Sequence, residues 1–352
     1  MTPARRTTLS LLAIAGAFSP FAASAQTPSF TDVPSDHFAF SAVEFLKQNN
    51  IVQGYADGTF KPSKTVTRAE AVKIIVAPLV QAEALVKIDG TGFADVRGVA
   101  DWAAPYLEVA RGPLAIIDGP PKTDKFRPGD PVKKAEFLKM LELAYRSVQT
   151  DPVDPLSMFS EIRMPLSSDV ADPNAWFYPY MRYALASSMT MADSQGKLVP
   201  GKDLSRGEVA VLHYRFLMYR QGVRKQALLS LAESEIVNIL RLLDASSIAE
   251  ADFASNRAYI ASRGALASKH DADEEGIIKG AVKTSEGFVA LVDAYEAGAK
   301  GDLQTVLARA SDAWHLAEKA KEFSSALGTL ASQMQQIAKT MADQARAALE
   351  KK

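Results

Sequence analysis

The chain has 352 residues, with 40 basic and 41 acidic side chains, 47% hydrophobic residues and no cysteine. That apolar share supports ordinary cores and excludes global disorder, and the near-zero net charge argues against a protein that coats nucleic acid. Without cysteine there are no disulfides, thiolate metal sites, cysteine nucleophiles or lipid attachment through an N-terminal cysteine.

Residues 1–25 read as an export signal. Arg5 and Arg6 give a positive start, and Leu9–Phe18 is an apolar run too short to span a bilayer. Ala23-Ser24-Ala25 fits small-x-small cleavage, leaving Gln26 as the new N-terminus; a retained anchor is the alternative. No later stretch reaches 18 apolar residues. The mature chain is therefore expected to lack a transmembrane segment and to work outside the cytoplasm, as a secreted protein of the cell surface or envelope.

All 18 prolines lie at or before Pro200, while 28 of residues 221–352 are alanine. Proline breaks helix interiors and alanine favours them. The front is thus expected to hold short elements and turns, the back long helices, with a boundary near Gln221-Gly222.

The front half repeats itself three times, over residues 28–84, 91–148 and 165–220. An Asp-Val pair (Asp32, Asp95, Asp169) precedes an aromatic residue (Phe38, Trp102, Trp176) by six, seven and seven residues. That aromatic precedes a basic residue (Arg68, Lys134, Arg206) by 30, 32 and 30, and a proline (Pro62, Pro128, Pro200) precedes the same basic residue by six each time. Each copy reads as helix, turn, short extended piece, helix. In copy one, Phe38, Ala42, Phe45 and Leu46 share a helical stripe. Gly54-Tyr-Ala-Asp57-Gly58 is turn chemistry, and Thr59–Pro62 is expected to be extended, since the residue before proline avoids the helical region. Thr67-Arg68-Ala69-Glu70 and Ser205-Arg206-Gly207-Glu208 are capping boxes that open the second helix. Copy two lacks the hydroxyl, so Asp130 is expected to cap, with Pro131 at the first helical position.

The stretches "FTDV", "GYADGTFKP" and "VTRAE" of copy one resemble the S-layer homology family, and copies two and three keep the frame in divergent form. The resemblance covers about residues 28–220. It implies a mainly α fold, with three repeats in a pseudo-threefold module. It also implies non-covalent attachment to cell-wall glycan (a secondary wall polymer or modified peptidoglycan), often carrying ketal-pyruvate carboxylates and held in grooves between repeats. By that resemblance the glycan-binding residues are Arg68, Arg206 and Lys134 with Trp102, Trp176, Phe38 and Asp57.

The chemistry agrees with such a role. An arginine fork suits a carboxylate, and a flat ring suits the apolar face of a sugar. A cation in the first turn opposes the helix dipole, a small cost whose repetition points to a use beyond folding. Lysine cannot form the fork, so the groove of Lys134 is expected to be weakest and the best groove to lie beside copy one. Each residue also has a structural reading: the arginines as solvated cap residues, Trp102 and Trp176 as core anchors of the first helices, and Asp57 as a turn former. Phe38 stands where the family usually has tryptophan and lacks an indole donor.

Residues 221–352 read as a bundle of three or four long helices. One apolar stripe of threes and fours from Leu303 to Ala348 predicts a single helix over 303–349, about 70 Å long, with Gly328 as a bend. Residues 277–298 form another, followed by the turn Gly298–Gly301, and residues 224–267 form one or two, with a break near Asp244–Ser247. Self-association as a coiled coil is the alternative. Asp271–Gly276 opens like a calcium loop, but Val282 stands where the bidentate glutamate belongs, which favours a solvated acidic turn and no metal. No catalytic motif or cofactor loop is present in the sequence. The expectation is a non-enzymatic envelope protein whose bundle serves assembly or partner binding. A wall-targeted enzyme and a protein-interaction scaffold that no longer binds glycan are the rivals.

Overall fold

The computed structural model describes residues 27–80, 93–98, 100–112, 114–118, 124–148 and 157–351. The export signal lies outside them. Among the described residues there are eleven α-helices and no strand beyond isolated bridges.

Three helix pairs occupy the front half: α1 (Phe40–Gln48) with α2 (Arg68–Val76), α3 (Ala104–Arg111) with α4 (Lys134–Val148), and α5 (Tyr178–Ala186) with α6 (Arg206–Arg220). Each first helix packs on the second helix of the preceding pair: α3 on α2, α5 on α4, and α1 on α6. The arrangement is therefore cyclic. The segments before the second helices close it with backbone bonds. Val66 N–H donates to the Leu204 carbonyl at 2.9 Å, Leu204 N–H to Val132 at 3.2 Å, and Val132 N–H to Val66 at 2.9 Å. All three side chains are buried, so the ring sits in an apolar surround where each unpaired peptide group would be costly.

The capping boxes of α2 and α6 form as the sequence leads one to expect. Copy two differs from expectation. Its helix starts at Lys134, and Glu136 reaches back to Lys133 N–H at 3.0 Å. Asp130 does not cap: the helix begins four residues further on, the Asp130 carbonyl accepts from Arg68 N–H, and Pro131 bridges to Thr67. The neighbouring copy supplies the missing acceptors: Arg68 and Ala69 N–H donate to Asp130 and Pro128, Lys134 and Ala135 to Lys202 and Pro200, and Arg206 and Gly207 to Lys64 and Pro62. Helix starts that are normally satisfied by water or by a local cap are here satisfied between copies.

The back half contains five helices, two of them unforeseen as separate: α7 (Lys225–Asp244), α8 (Ile248–Ala267), α9 (Ala272–Ala299), α10 (Leu303–Phe323) and α11 (Gly328–Leu349). The break at 244–247 falls where expected, with Ser246 at φ 59°. The predicted 70 Å helix does not form. Ser324 is extended, a 3₁₀ turn spans Ser325–Leu327, and α11 folds back on α10. Lys321 bonds Gln335 near the turn, while Val306 clusters with Met341 and Ala345 at the far end. The apolar stripe ran unbroken through the turn because both arms of the hairpin bury the same face against α9, around Phe288, Leu291 and Val292. Asp271–Gly276 is the opening of α9 rather than a turn; Asp271 and Glu274 form its capping box.

Both halves share one core. Ile260, Ala261 and Ala265 of α8 belong to the same buried cluster as α4, α5 and α6. A strap over residues 157–167 joins them. From one side Arg182 donates to the Ile162 and Met158 carbonyls and Tyr178 to Met164. From the other, Asn256 donates to Pro165 and Arg257 to Leu166. Arg257 also forms a buried two-pronged pair with Glu235, at 2.6 and 2.9 Å.

Candidate functional site

The three basic residues of the repeated box all lie at junctions between copies, and each donates to the backbone of the next. Arg68 Nε reaches the Phe126 carbonyl at 2.9 Å, Lys134 Nζ reaches Leu198 at 2.8 Å, and Arg206 Nε reaches Phe60 at 2.8 Å. Each first-turn cation thus has a structural task that no local sequence pattern displays.

Beyond that shared bond the three differ. Arg68 is 7% exposed, stacked 4.7 Å from the Phe126 ring centre and paired with Glu136 at 2.6 Å. Its charge is spent inside the protein. Lys134 is half-buried, and burial, aided by Lys202, pulls its ammonium down to about 8. Arg206 is half-buried, donates through Nη2 to Gln53 O at 3.1 Å, and has no ion pair among the described residues.

Around Arg206 the sequence brings more positive charge. Tyr55, from the "GYADGTF" turn, has Lys61 Nζ 4.1 Å, Arg206 Cζ 5.0 Å and Lys64 Nζ 5.7 Å from its ring centre. Lys64 also bonds the Tyr55 hydroxyl at 3.2 Å and pairs with Glu70. Asp57 is exposed in the same turn. Thr59 donates to it through hydroxyl and backbone, and Lys61 pairs with it at 3.1 Å. Those bonds, the hydroxyl of Thr59 foremost, hold its carboxyl at about 2. The turn-forming part of its two readings is thereby visible.

The aromatic residues that open the copies are not core anchors. Phe38 is 65% exposed, Trp102 49% and Trp176 55%. Phe38 leans over Gly207: a Cβ built there would lie 2.9 Å from Phe38 Cζ and 3.2 Å from the Pro62 carbonyl. The matching positions, Ala69 and Ala135, carry a methyl, whereas none fits at Gly207 under Phe38 and the Pro62 carbonyl. Trp102 is flanked by Lys73, 5.5 Å from its ring centre and 5.7 Å from that of Tyr106. Trp176 meets Phe177 edge-on.

Sequence reading missed Tyr55, Lys61, Lys64 and Lys73 as neighbours of these sites. The first three sit in or beside the quoted turn, and alternating basic and aromatic residues there were the available signal. It also placed Thr59–Pro62 in an extended run. Lys61 instead has φ 59°, as does Arg127, and Val199 has φ 48°. All three precede proline, and all three are held there by backbone bonds to the Asp-Val carboxylate: Lys61 N–H to Asp32 at 2.8 Å, Arg127 to Asp95 at 2.7 Å and Val199 to Asp169 at 2.8 Å. A distant carboxylate overrides the local preference.

Comparison with known proteins adds the following. A family profile for the S-layer homology domain matches residues 29–72 and 92–138. A cellulosome-anchoring protein of Acetivibrio thermocellus is 34% identical over 133 residues, covering 36% of this chain and 27% of the relative. An S-layer protein of Bacillus licheniformis is 26% identical over 206 residues, 58% of this chain and 21% of its own length. An amylopullulanase of Thermoanaerobacterium thermosulfurigenes is 27% identical over 202 residues, 57% of this chain and 10% of its own. The chain thus spans about a quarter or less of these relatives. Among the described residues no helix is long and apolar enough to cross a membrane.

Proposed function

We propose that this chain, which carries S-layer homology domains, is a secreted, non-enzymatic envelope protein that attaches to an anionic glycan of the cell wall. Segment 165–220 acts as a third repeat. It supplies one edge of the hydrogen-bond ring, and Asp169 makes the contacts that Asp32 and Asp95 make in their copies. The bundle, seated on that repeat, is held at the wall as part of one body and is presented from it.

The observation that carries this reading is the junction of α6 with copy one. Three cations surround Tyr55 there, and Phe38 is exposed over Gly207. An acidic sugar meets its needs in such a place: a cation for the carboxylate and a flat ring for the apolar face of the pyranose. Arg206 and Tyr55 are the residues assigned to the anion, Phe38 to the ring face. Trp102 with Lys73 forms a secondary site; the exposed Trp176 of copy three and Lys134, bonded to that copy's Leu198, are assigned to a further one. Arg68 contributes by holding copies one and two together.

The test uses the whole mature chain, residues 26–352, sedimented with purified wall of the producing organism. Arg206→Ala combined with Tyr55→Ala is expected to lower affinity about tenfold or more, the worth of one or two charge-assisted bonds. Added salt should weaken the wild type as well. Equal pelleting of the wild type and an Arg68→Ala/Arg206→Ala variant removes the arginines from the mechanism. The amylopullulanase relative favours a second reading, an enzyme held at the wall; release of wall fragments by the purified chain would support it.

A further inference from the structure

The Asp-Val carboxylates form the same relay three times. Each accepts two successive backbone N–H groups: Asp32 from Phe60 and Lys61, both at 2.8 Å; Asp95 from Phe126 and Arg127 at 2.8 and 2.7 Å; Asp169 from Leu198 and Val199 at 3.1 and 2.8 Å. The second donor of each pair is the residue at positive φ, and none is glycine. For valine, which is β-branched, that region is a marked outlier. The first donor of each pair is the residue whose carbonyl receives the cation of the preceding copy: Phe60 from Arg206, Phe126 from Arg68, Leu198 from Lys134. Carboxylate, strained peptide, carbonyl and cation therefore follow one another in every copy. Strain of this kind persists only where the surroundings over-determine it, and it gathers at ligand clamps.

We propose that Asp32 and Asp169 are positioning residues for the groove cations Arg206 and Lys134, each holding the residue before proline in a left-handed turn so that the preceding carbonyl aims the neighbouring side chain into the groove, while Asp95 does the same for the buried clasp that Arg68 makes between copies. This rests on the wall-attachment reading above and assigns that site its aiming device. Without the carboxylate the residue before proline relaxes to its extended preference. The carbonyl then swings away, and the cation loses its anchor. Glycine, which adopts positive φ without strain, should make the carboxylate dispensable.

The test compares Asp32→Ala, Lys61→Gly and the double variant Asp32→Ala/Lys61→Gly in the whole mature chain. Two readouts are taken: sedimentation with purified wall, and the Arg206 Nε–H resonance in a nitrogen-15 spectrum, assigned through Arg206→Lys. Asp32→Ala should lose about tenfold in wall affinity, the worth of a charge-assisted bond, and should lose the slowly exchanging Nε–H signal. The double variant should return to the level of Lys61→Gly alone on both readouts, which a purely structural role for Asp32 does not predict. Should Asp32→Ala not fold, Asp32→Asn, which keeps one acceptor oxygen, is expected to give an intermediate loss with the same rescue. An Nε–H signal unchanged by Asp32→Ala, or a loss that glycine does not restore, overturns the relay. A wild type that never sediments overturns wall attachment instead, and the resonance still decides the relay.

Discussion

Gly264 of α8 and Ala186 at the end of α5 touch backbone to backbone: a Cβ built on Gly264 would lie 1.8 Å from the Ala186 carbonyl oxygen. Tyr219 seals the contact by donating to the Gly264 carbonyl at 3.2 Å. The bundle is therefore seated on the third helix pair, and no side chain larger than hydrogen fits between them.

Gly264→Ala should cost about 3 kcal/mol, at the upper end of overpacking because the obstacle is backbone. The midpoint of thermal unfolding measured by circular dichroism should fall accordingly. A midpoint within a degree of the wild type would mean that the two halves part easily. For the same reason wall-binding tests belong on the whole mature chain, since residues 26–220 alone would expose the face that α8 covers.

Arg68→Ala and Arg206→Ala should separate stability from attachment. Arg68 is buried, and its loss strands the Phe126 carbonyl and leaves the half-buried Glu136 with only Lys133 N–H and the more distant Arg127. We expect a loss of about 2–4 kcal/mol, somewhat below that of a fully buried broken pair. Arg206 has no ion pair among the described residues and remains wet, so its removal should cost about 1 kcal/mol while weakening wall sedimentation more than Arg68→Ala does. Denaturant titration and sedimentation on the same preparations give both numbers; the reverse ranking would move the binding junction to copies one and two.

His213 should make the front half acid-sensitive. It is fully buried, bonded to the Tyr145 hydroxyl at 3.1 Å, and burial pulls its imidazole from 6.5 to about 3. The unfolded chain therefore binds a proton below pH 6.5 that the folded chain refuses until about pH 3. Stability is lost as pH falls through that window, by up to about 1.4 kcal/mol per unit. His213→Gln should flatten the dependence of unfolding free energy on pH between 6 and 4. A slope as steep as the wild type would assign the acid sensitivity elsewhere.

Lys134 should make its junction sensitive to base. With its ammonium pulled down to about 8, the cation is lost between about pH 7 and 9. Wild-type sedimentation should weaken over that range, whereas Lys134→Arg should hold its affinity, since guanidinium stays charged. Parallel curves for the two proteins would show that this junction contributes nothing to attachment.

Much of the architecture was legible because it is written in local patterns. The three-fold spacing of Asp, aromatic, proline and cation marked the copies. Thr67 and Ser205 announced their helices, and Asp244–Ser247 its break. What escaped was set by distant partners. Nothing near Lys61 says that Asp32 will hold it at positive φ, and nothing near Arg68 says that Glu136 and Phe126 will absorb it. The hairpin at Ser324–Leu327 escaped for another reason: α9 asks for the same apolar face from both arms, so periodicity passes through the turn without a mark. Trp102 and Trp176 were ambiguous in sequence, since an aromatic residue beside a first helix fits a core and a ligand surface equally well. Their exposure sets the core reading aside.

The mutual pairing of Val66, Leu204 and Val132 has a further implication for how such a molecule can be inherited and made. In a linear stack of modules, units can be gained or dropped at the ends and growth can start anywhere. A circle of three has no end. Deleting one member leaves two peptide groups facing a gap, so the trio must be kept or lost as a whole. Its last closure, between residues 66 and 204, must wait until nearly the entire front half has been synthesised.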